Sequence, residues 1–247
     1  MTRSGFCSSV CAGVLLVALL WCRGGFRVAE AIGADTEIQG EQRTQILQRL
    51  REQQQEVMTL RAIVVQRKRH PLLKGEAISQ GTLLFKRPSQ VRWEVDKPER
   101  TIIVIDGHTL LIYRPDSHEA ERRDLRGDVV SRGAVEFLTS GMSLDVAELE
   151  KRFLVDLYRE NGRLALRLTP RSRLVAQAVA SVTIYQDETE AIPRQIVVVG
   201  RKDDRTETTL SQVTVNPQIP EDAFRLRLGP GVRVTDIGQP AGEGHDR

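Results

Sequence analysis

The sequence predicts a mainly β (α+β) protein built on one large antiparallel sheet of about ten or eleven strands, with two or three helices added. Apolar segments of strand length alternate with turn residues from Leu60 to Leu125 and again from Phe153 to Val215. The connections between these segments are short, so neighbouring strands run antiparallel. The pattern lacks the long helices between strands that a parallel, doubly wound sheet requires. A sheet of this size must curl or close.

The first 31 residues have the features of a secretory signal peptide. Arg3 lies in a short polar start, an apolar run extends from Val10 to Trp21, and Ala29-Glu30-Ala31 provides a cleavage site. The apolar run is too short for a membrane-spanning helix. We expect residues 1–31 to be removed on export, residues 32–43 to form a flexible lead-in, residues 44–237 to form one domain and residues 238–247 to form a flexible tail.

All three cysteines, Cys7, Cys11 and Cys22, lie in the predicted signal peptide. The exported chain would therefore contain no disulfide and no thiolate metal site. Cys22 could instead be a lipid-attachment cysteine, but the bulky Trp21 before it fits such a site poorly. We expect Cys22 to be unmodified.

Charge and motif content exclude several classes of function. The chain has a formal net charge of +3, of which residues 1–31 contribute +2, and this balance gives no support for nucleic-acid binding. The four histidines lack metal-ligand spacing, and neither a Gly-rich phosphate loop nor a Gly-x-Ser-x-Gly motif occurs. We therefore expect a protein that is not an enzyme, with no catalytic residues, no metal and no cofactor.

Three segments have helical spacing of apolar residues. The first runs from Thr44 to Leu60, and a short third segment runs from Asp145 to Lys151. The second runs from Asp128, which can cap it, to Ser140, and Gly141 would end it. Its apolar stripe consists of Val130, Ala134, Phe137 and Leu138.

Turn residues divide the rest of the chain into strands. The stretch Gly81–Tyr113 contains four strands, the last two joined by Asp106-Gly107. Asn161-Gly162 is the strongest hairpin signal in the chain, because type I′ turns favour this pair. The remaining predicted strands are Phe153–Glu160, Arg163–Thr169, Ala178–Gln186, Ile192–Gly200, Arg205–Val215 and a short one at Val232–Val234.

Alternation assigns the apolar residues of the first strands to one face of the sheet. This face contains Leu83, Phe85, Val91, Trp93, Val95, Ile103 and Ile105, with Arg87 at its end. Ile102 and Val104 make the third of these strands apolar on its other side too, so we expect that side also to be covered. Two interpretations remain open: the face is a filled core, or it lines a hollow that helices cover and that holds acyl chains.

An ordered set of short motifs resembles the periplasmic outer-membrane lipoprotein carrier (LolA) family over roughly residues 41–236. The motifs are Gly81, Phe85-Lys86-Arg87-Pro88, Val91-Arg92-Trp93, Pro98, Ile102-Ile103-Val104, Asp106-Gly107, Thr109-Leu110 and Tyr113, followed by Pro220, Phe224 and Pro230-Gly231-Val232. The resemblance implies an incomplete, strongly curved antiparallel β-barrel with helices as a lid. It also implies a monomeric periplasmic carrier that takes acylated lipoproteins from an ATP-driven inner-membrane complex to an outer-membrane receptor.

The resemblance also implies roles for particular residues. The seven apolar side chains of the face would line the lipid-binding cavity, and the Val130–Leu138 stripe would belong to the lid. Arg87 would hold the lid closed through hydrogen bonds to helix backbone carbonyls. Position 91 is often aromatic in the better-known members, so valine here predicts a different pocket shape.

Two alternative functions remain open. The half-barrel could be a regulatory module that senses lipid or mislocalised lipoprotein. The protein could also be the outer-membrane receptor of the same route, which requires a lipid-modified Cys22.

Overall fold

A computed structural model describes residues 36–71, 75–126, 146–190 and 192–237. These residues form one sheet of thirteen strands in the order β1-β8-β9-β10-β11-β12-β2-β3-β4-β5-β6-β7-β13. The sheet is strongly curved and open, with β1 at one edge and β13 at the other. The predicted fold class, an incomplete and strongly curved β-barrel with added helices, is confirmed.

The elements are numbered here in chain order. The strands are β1 Thr36–Ile38, β2 Thr59–Arg69, β3 Glu76–Lys86, β4 Gln90–Lys97, β5 Thr101–Asp106, β6 Thr109–Arg114, β7 Glu119–Asp124, β8 Phe153–Glu160, β9 Arg163–Pro170, β10 Val179–Gln186, β11 Pro193–Gly200, β12 Arg205–Val215 and β13 Arg233–Asp236. The described helices are α1 Gly40–Gln55, α2 Val146–Arg152 and α3 Arg173–Ala178, with a 3-10 helix at Glu221–Phe224. Within the described ranges, no helix has the length and apolarity to cross a membrane.

The strongest turn signals form the predicted hairpins. Asn161 and Gly162 both have positive φ, 49° and 75°, as a type I′ turn between β8 and β9 requires. At the β5–β6 turn the Asp106 carboxylate accepts hydrogen bonds from the backbone N–H groups of His108 and Thr109, and Gly107 has a φ of 104°. These side chains fix the local backbone, so the turns form from short-range sequence alone.

The helix predicted over Thr44–Leu60 is shifted toward the N-terminus. It begins at Gly40 and ends at Gln55, and Leu60 belongs to β2. Val57 and Leu60 match a helical spacing, but Leu60 also starts the two-residue alternation of β2, and pairing with both neighbouring strands prevails.

The prediction of a flexible lead-in at residues 32–43 is wrong for its second half. Residues Thr36–Ile38 form β1, which pairs with β8, and α1 begins two residues later. Ile38 is the only large apolar residue of β1, and its burial among residues distant in sequence is the reason that local composition did not reveal the strand.

The edge strand β13 pairs with β7 in parallel, whereas the prediction was antiparallel throughout. The Arg122 guanidinium donates two hydrogen bonds to the Asp236 carboxylate across this pair, at 2.6 and 2.9 Å, and holds the pKa of Asp236 below its usual value. The sheet has two or three more strands than predicted, and α3 was not predicted. The predicted signal peptide, the helix over Asp128–Ser140 and the tail lie outside the described residues.

Two apolar clusters occupy the same, concave face of the sheet. The register shows this, because Ile184, Ile196, Thr208 and Gln66 lie directly opposite one another across β10, β11, β12 and β2. The first cluster covers β2 to β6. The second covers β8 to β11, and α1 contributes Leu47 and Leu50 to it. Helix α1 therefore lies in the concavity, packed on the β8–β11 half.

The opposite, convex face of β4 and β5 is also covered, as the two-sided apolar pattern of β5 predicts. Ile102 and Val104 are buried there, and the 3-10 helix with the buried Phe224 packs against both strands. Arg92, on the same face, donates a hydrogen bond to the Ala223 carbonyl at 2.9 Å.

Candidate functional site

The apolar residues predicted for one face of the first strands do share one face. Trp93 lies directly between Leu83 and Ile103, and Val91 lies between Phe85 and Ile105. Directly opposed residues of paired strands point to the same side. All seven predicted side chains belong to the first apolar cluster, and none is more than 7% exposed.

The face extends onto strands that the sequence analysis did not include. It continues on β2 and β12 on one side and on β6 on the other, with the additional members Leu60, Ala62, Val64, Leu210 and Ile112. The alternation Leu60-Ala62-Val64 indicates the same face, but Leu60 also fits the helical spacing of the preceding segment.

Three residues from connections complete the first cluster. Val57 follows α1, Leu125 follows β7, and Ile192 precedes β11. The strand residues of this cluster are all buried, so the face is closed to solvent in this conformation. Access to it requires these connections, or the elements that they continue, to move.

Arg87 joins the sheet to the end of α1. It follows β3, and its Nη2 donates to the Gln54 carbonyl at 2.6 Å while its Nε donates to the Val57 carbonyl at 2.7 Å. The Gln54 carbonyl belongs to the last turn of α1, where it also accepts from the Val57 backbone N–H at 3.1 Å, and the Val57 carbonyl lies two residues beyond the helix end. The last carbonyls of a helix lack partners within the helix and can accept from a side chain. The guanidinium is suited to this contact because it is always charged and its donors have a fixed geometry. We call these two hydrogen bonds the Arg87 contact.

Helices α1 and α2 are also joined to each other. The Gln54 side chain accepts a hydrogen bond from the Val146 backbone N–H, the first of α2, at 3.3 Å. Glu150 of α2 forms ion pairs with Arg43 and Arg51 of α1, at 3.4 and 2.6 Å. The Arg87 contact therefore holds both helices. Gln54 accepts a hydrogen bond from Arg87 through its backbone carbonyl and one from α2 through its side chain.

Two polar groups on the concave face have no hydrogen-bond partner within the part of the chain that the structure describes. They are the indole N–H of Trp93 and the side-chain amide of the fully buried Gln186. Unpaired buried donors are uncommon in native proteins. The indole N–H lies on the apolar face as a donor that an entering carbonyl oxygen could use.

A depression lies on the convex face, and its lining is charged, unlike the apolar concave face. It has a volume of about 360 Å³ and lies between β2, β3, β4 and the Pro217–Pro220 segment. Its charged lining includes Arg61 and the Arg92–Glu94 ion pair, in which the two side chains are 2.6 Å apart. In the same described ranges, no three His, Cys, Asp or Glu residues come together as metal ligands would.

The structure therefore brings together eight of the twelve residues predicted for the site, namely the seven apolar ones and Arg87. The other four, Val130, Ala134, Phe137 and Leu138, lie outside the described residues.

Comparison with known proteins gives a family match over most of the chain. Residues 55–227 match the family described as "Outer membrane lipoprotein carrier protein LolA". The chain is similar to the outer-membrane lipoprotein carrier protein of Cupriavidus pinatubonensis, at 29% identity over 66% of this chain and 72% of that protein. It is also similar to the protein of the same description from Coxiella burnetii, at 24% identity over 63% of this chain and 70% of that protein.

Among solved structures, a LolA superfamily protein from Nitrosomonas europaea aligns with a TM-score of 0.41 and 14% identity. The alignment covers 72% of this chain and 96% of that one.

Proposed function

Since this chain belongs to the LolA family of outer membrane lipoprotein carrier proteins, we propose that it binds the acyl chains of lipoproteins on its concave apolar face. The protein would carry them through the periplasm from the inner to the outer membrane. The seven apolar residues from Leu83 to Ile105 would contact the acyl chains, and the Arg87 contact would hold the unloaded face closed.

One observation carries this proposal: a continuous apolar face lies on the side of the sheet where α1 packs, and an arginine ties the end of α1 to it. A cover that must open and close needs a contact that water can replace. Half-buried hydrogen bonds to backbone carbonyls are of that kind.

The energetics of acyl chains explain why such a carrier is needed. Each methylene kept out of water is worth about 0.8 kcal/mol, so three chains with roughly 45 methylenes would cost on the order of 35 kcal/mol to expose. A soluble carrier has to replace the lipid contacts with its own apolar surface. The polar end of each chain carries a carbonyl, and the unpartnered indole N–H of Trp93 offers it a donor within that surface.

The same reasoning leads to partners at both ends of the route. Extraction of acyl chains from a membrane is uphill, so loading requires an energy-coupled complex at the inner membrane. Release runs downhill to an outer-membrane receptor that binds the chains more tightly. The chemistry of the carrier is binding alone, and we propose no catalytic step.

Native mass spectrometry of the protein purified from the periplasm tests the proposal. We expect a mature chain that begins after the predicted signal peptide, with a fraction carrying a lipoprotein or lipopeptide. A protein that never carries acylated cargo, even when a triacylated lipopeptide is added in excess, would contradict it. An acylated Cys22 at the N-terminus would instead indicate the receptor of the same route.

A further inference from the structure

Helix α3 exposes large apolar side chains to solvent. Leu174 is 64% exposed and Val175 is 41% exposed, and no residue of α3 is buried. The helix connects β9 to β10 at one end of the sheet. Only Ala178, at the end of α3, packs against the second apolar cluster. A helix that exposes two large apolar residues side by side fits a surface that contacts something else.

Hydrogen bonds fix α3 against its neighbours. Arg201, in the β11–β12 connection, donates from Nε to the Ala176 carbonyl at 2.8 Å and from its backbone N–H to the Ala178 carbonyl at 3.0 Å. Arg171, just before α3, donates from its backbone N–H to the Arg152 carbonyl at the end of α2, at 2.9 Å. Three segments therefore lie together: the end of α2, the 171–178 connection and the 201–204 connection. We call them the α3 surface.

The α3 surface is strongly basic. Its segments contain six cationic side chains, two from each, and two carboxylates, Asp203 and Asp204; one of the six cations, Lys151, is ion-paired with Glu148 of α2. At the opposite end of the same strands, the three carboxylates of the 187–192 connection form ion pairs with Arg159 and Arg194. The exposed apolar pair of α3 therefore lies among the cations of the α3 surface.

We propose that the α3 surface docks on a membrane that contains anionic phospholipid. Leu174 and Val175 enter the boundary between headgroups and acyl chains, and the surrounding cations contact lipid phosphates. A protruding turn of helix is suited to a bilayer surface, whereas a folded protein partner would need a larger complementary area. This inference goes beyond lipoprotein carriage and does not depend on what the concave face binds.

Vesicle flotation with lipids alone tests the proposal. The purified protein is mixed with vesicles of phosphatidylcholine, or of phosphatidylcholine with about one third phosphatidylglycerol, at low and at high salt. We expect binding to the anionic vesicles only, weakened at high salt because salt screens exposed charges. No lipoprotein is present, so a failure of lipoprotein carriage would not affect the result.

Two variants locate the contact. Arg173→Glu/Lys202→Glu should lower the partition coefficient at least about tenfold, since each cation near an anionic surface contributes to binding. Leu174→Asp should lower it to a similar degree. Both variants change exposed side chains, and Arg201 is left intact because it holds α3 in place.

Matched controls carry the same changes elsewhere. Arg225→Glu/Arg227→Glu reverses two exposed cations, and Val234→Asp replaces an apolar residue that is 40% exposed. Both controls should bind as the unaltered protein does, and all variants share the same N-terminus. Equal binding to neutral and anionic vesicles, unchanged binding by either α3 variant, or no binding at all would overturn the proposal. The last result would favour a protein partner at this surface.

Discussion

At the scale of single residues, the proposed function assigns to Arg87 the closing of the concave face. Its two hydrogen bonds reach the Gln54 and Val57 carbonyls from a half-buried side chain. Hydrogen bonds from a charged donor contribute about 1.5–3 kcal/mol each. A cargo that needs the open state must overcome this stabilisation of the closed state, so the contact lowers the apparent affinity.

Replacement of Arg87 by leucine should therefore leave the sheet folded and make the carrier retain its cargo. We expect the apparent affinity for a triacylated lipopeptide to rise at least about tenfold. Transfer of lipoprotein to an outer-membrane receptor should slow in proportion. Arg92→Leu is the matched control, because Arg92 also donates to a backbone carbonyl but lies on the convex face. Equal affinity and transfer for Arg87→Leu and the unaltered protein would contradict this role.

Trp93→Glu tests the apolar face itself. A carboxylate placed among Leu83, Ile103 and their neighbours would be costly to bury and would repel acyl chains, so lipopeptide binding should be lost while Trp93→Phe retains it. Trp93 is only 6% exposed, and the charge could also unfold the protein. Leu110→Glu avoids this, because Leu110 is half-buried at the margin of the same cluster. Normal binding by a folded Leu110→Glu variant would contradict the assignment of the face.

The sequence was sufficient to group the site residues, because strand alternation determines which side each residue faces. The seven apolar positions from Leu83 to Ile105 follow from this rule alone. The acceptors of Arg87 did not follow. They are backbone carbonyls at the end of α1, and the run Gln53–Glu56 contains no Gly or Pro that would mark where the helix stops.

At the scale of elements, Gly81 allows β3 and β4 to pair closely at a register shift. A Cβ atom added at Gly81 would lie 1.8 Å from the Glu94 carbonyl oxygen, which is backbone and cannot rotate away. We expect Gly81→Ala to lower the free energy of unfolding by about 2–3 kcal/mol, because the strands would have to separate locally. Chemical denaturation measures this, with Gly229→Ala as control, since nothing lies within 4 Å of its added Cβ. Similar stability of the two variants would contradict the close approach.

Elements stabilised by local sequence were predicted well, and those stabilised by distant contacts were not. The β8–β9 hairpin follows from Asn161-Gly162, whose conformation the pair itself favours. Strand β1 and the parallel pairing of β13 depend on partners more than 100 residues away. Helix α3 has only six residues, too few to show a periodic pattern.

At the scale of the whole molecule, the two halves of the concave face pack differently. Its β8–β11 half is packed against α1 and α2, which contribute Leu47, Leu50, Val146 and Leu149 to the second cluster. Its β2–β6 half carries the first cluster, to which Val57, Leu125 and Ile192 of the connections contribute. Movement of α1 and α2 as one unit would release the Arg87 contact and expose the β2–β6 half. The large sheet would stay intact, since its strands pair continuously from β1 to β13.

The central claim is that acyl chains lie against the β2–β6 half of the concave face, and the fluorescence of Trp93 tests it most directly. The chain has two tryptophans, and Trp21 lies in the predicted signal peptide, so Trp93 is the only tryptophan of the exported protein. Lipopeptides with brominated acyl chains quench a tryptophan that they touch. We predict saturable quenching of Trp93 by the brominated lipopeptide and none by the same lipopeptide without bromine. Saturable binding that leaves Trp93 unquenched would contradict the claim.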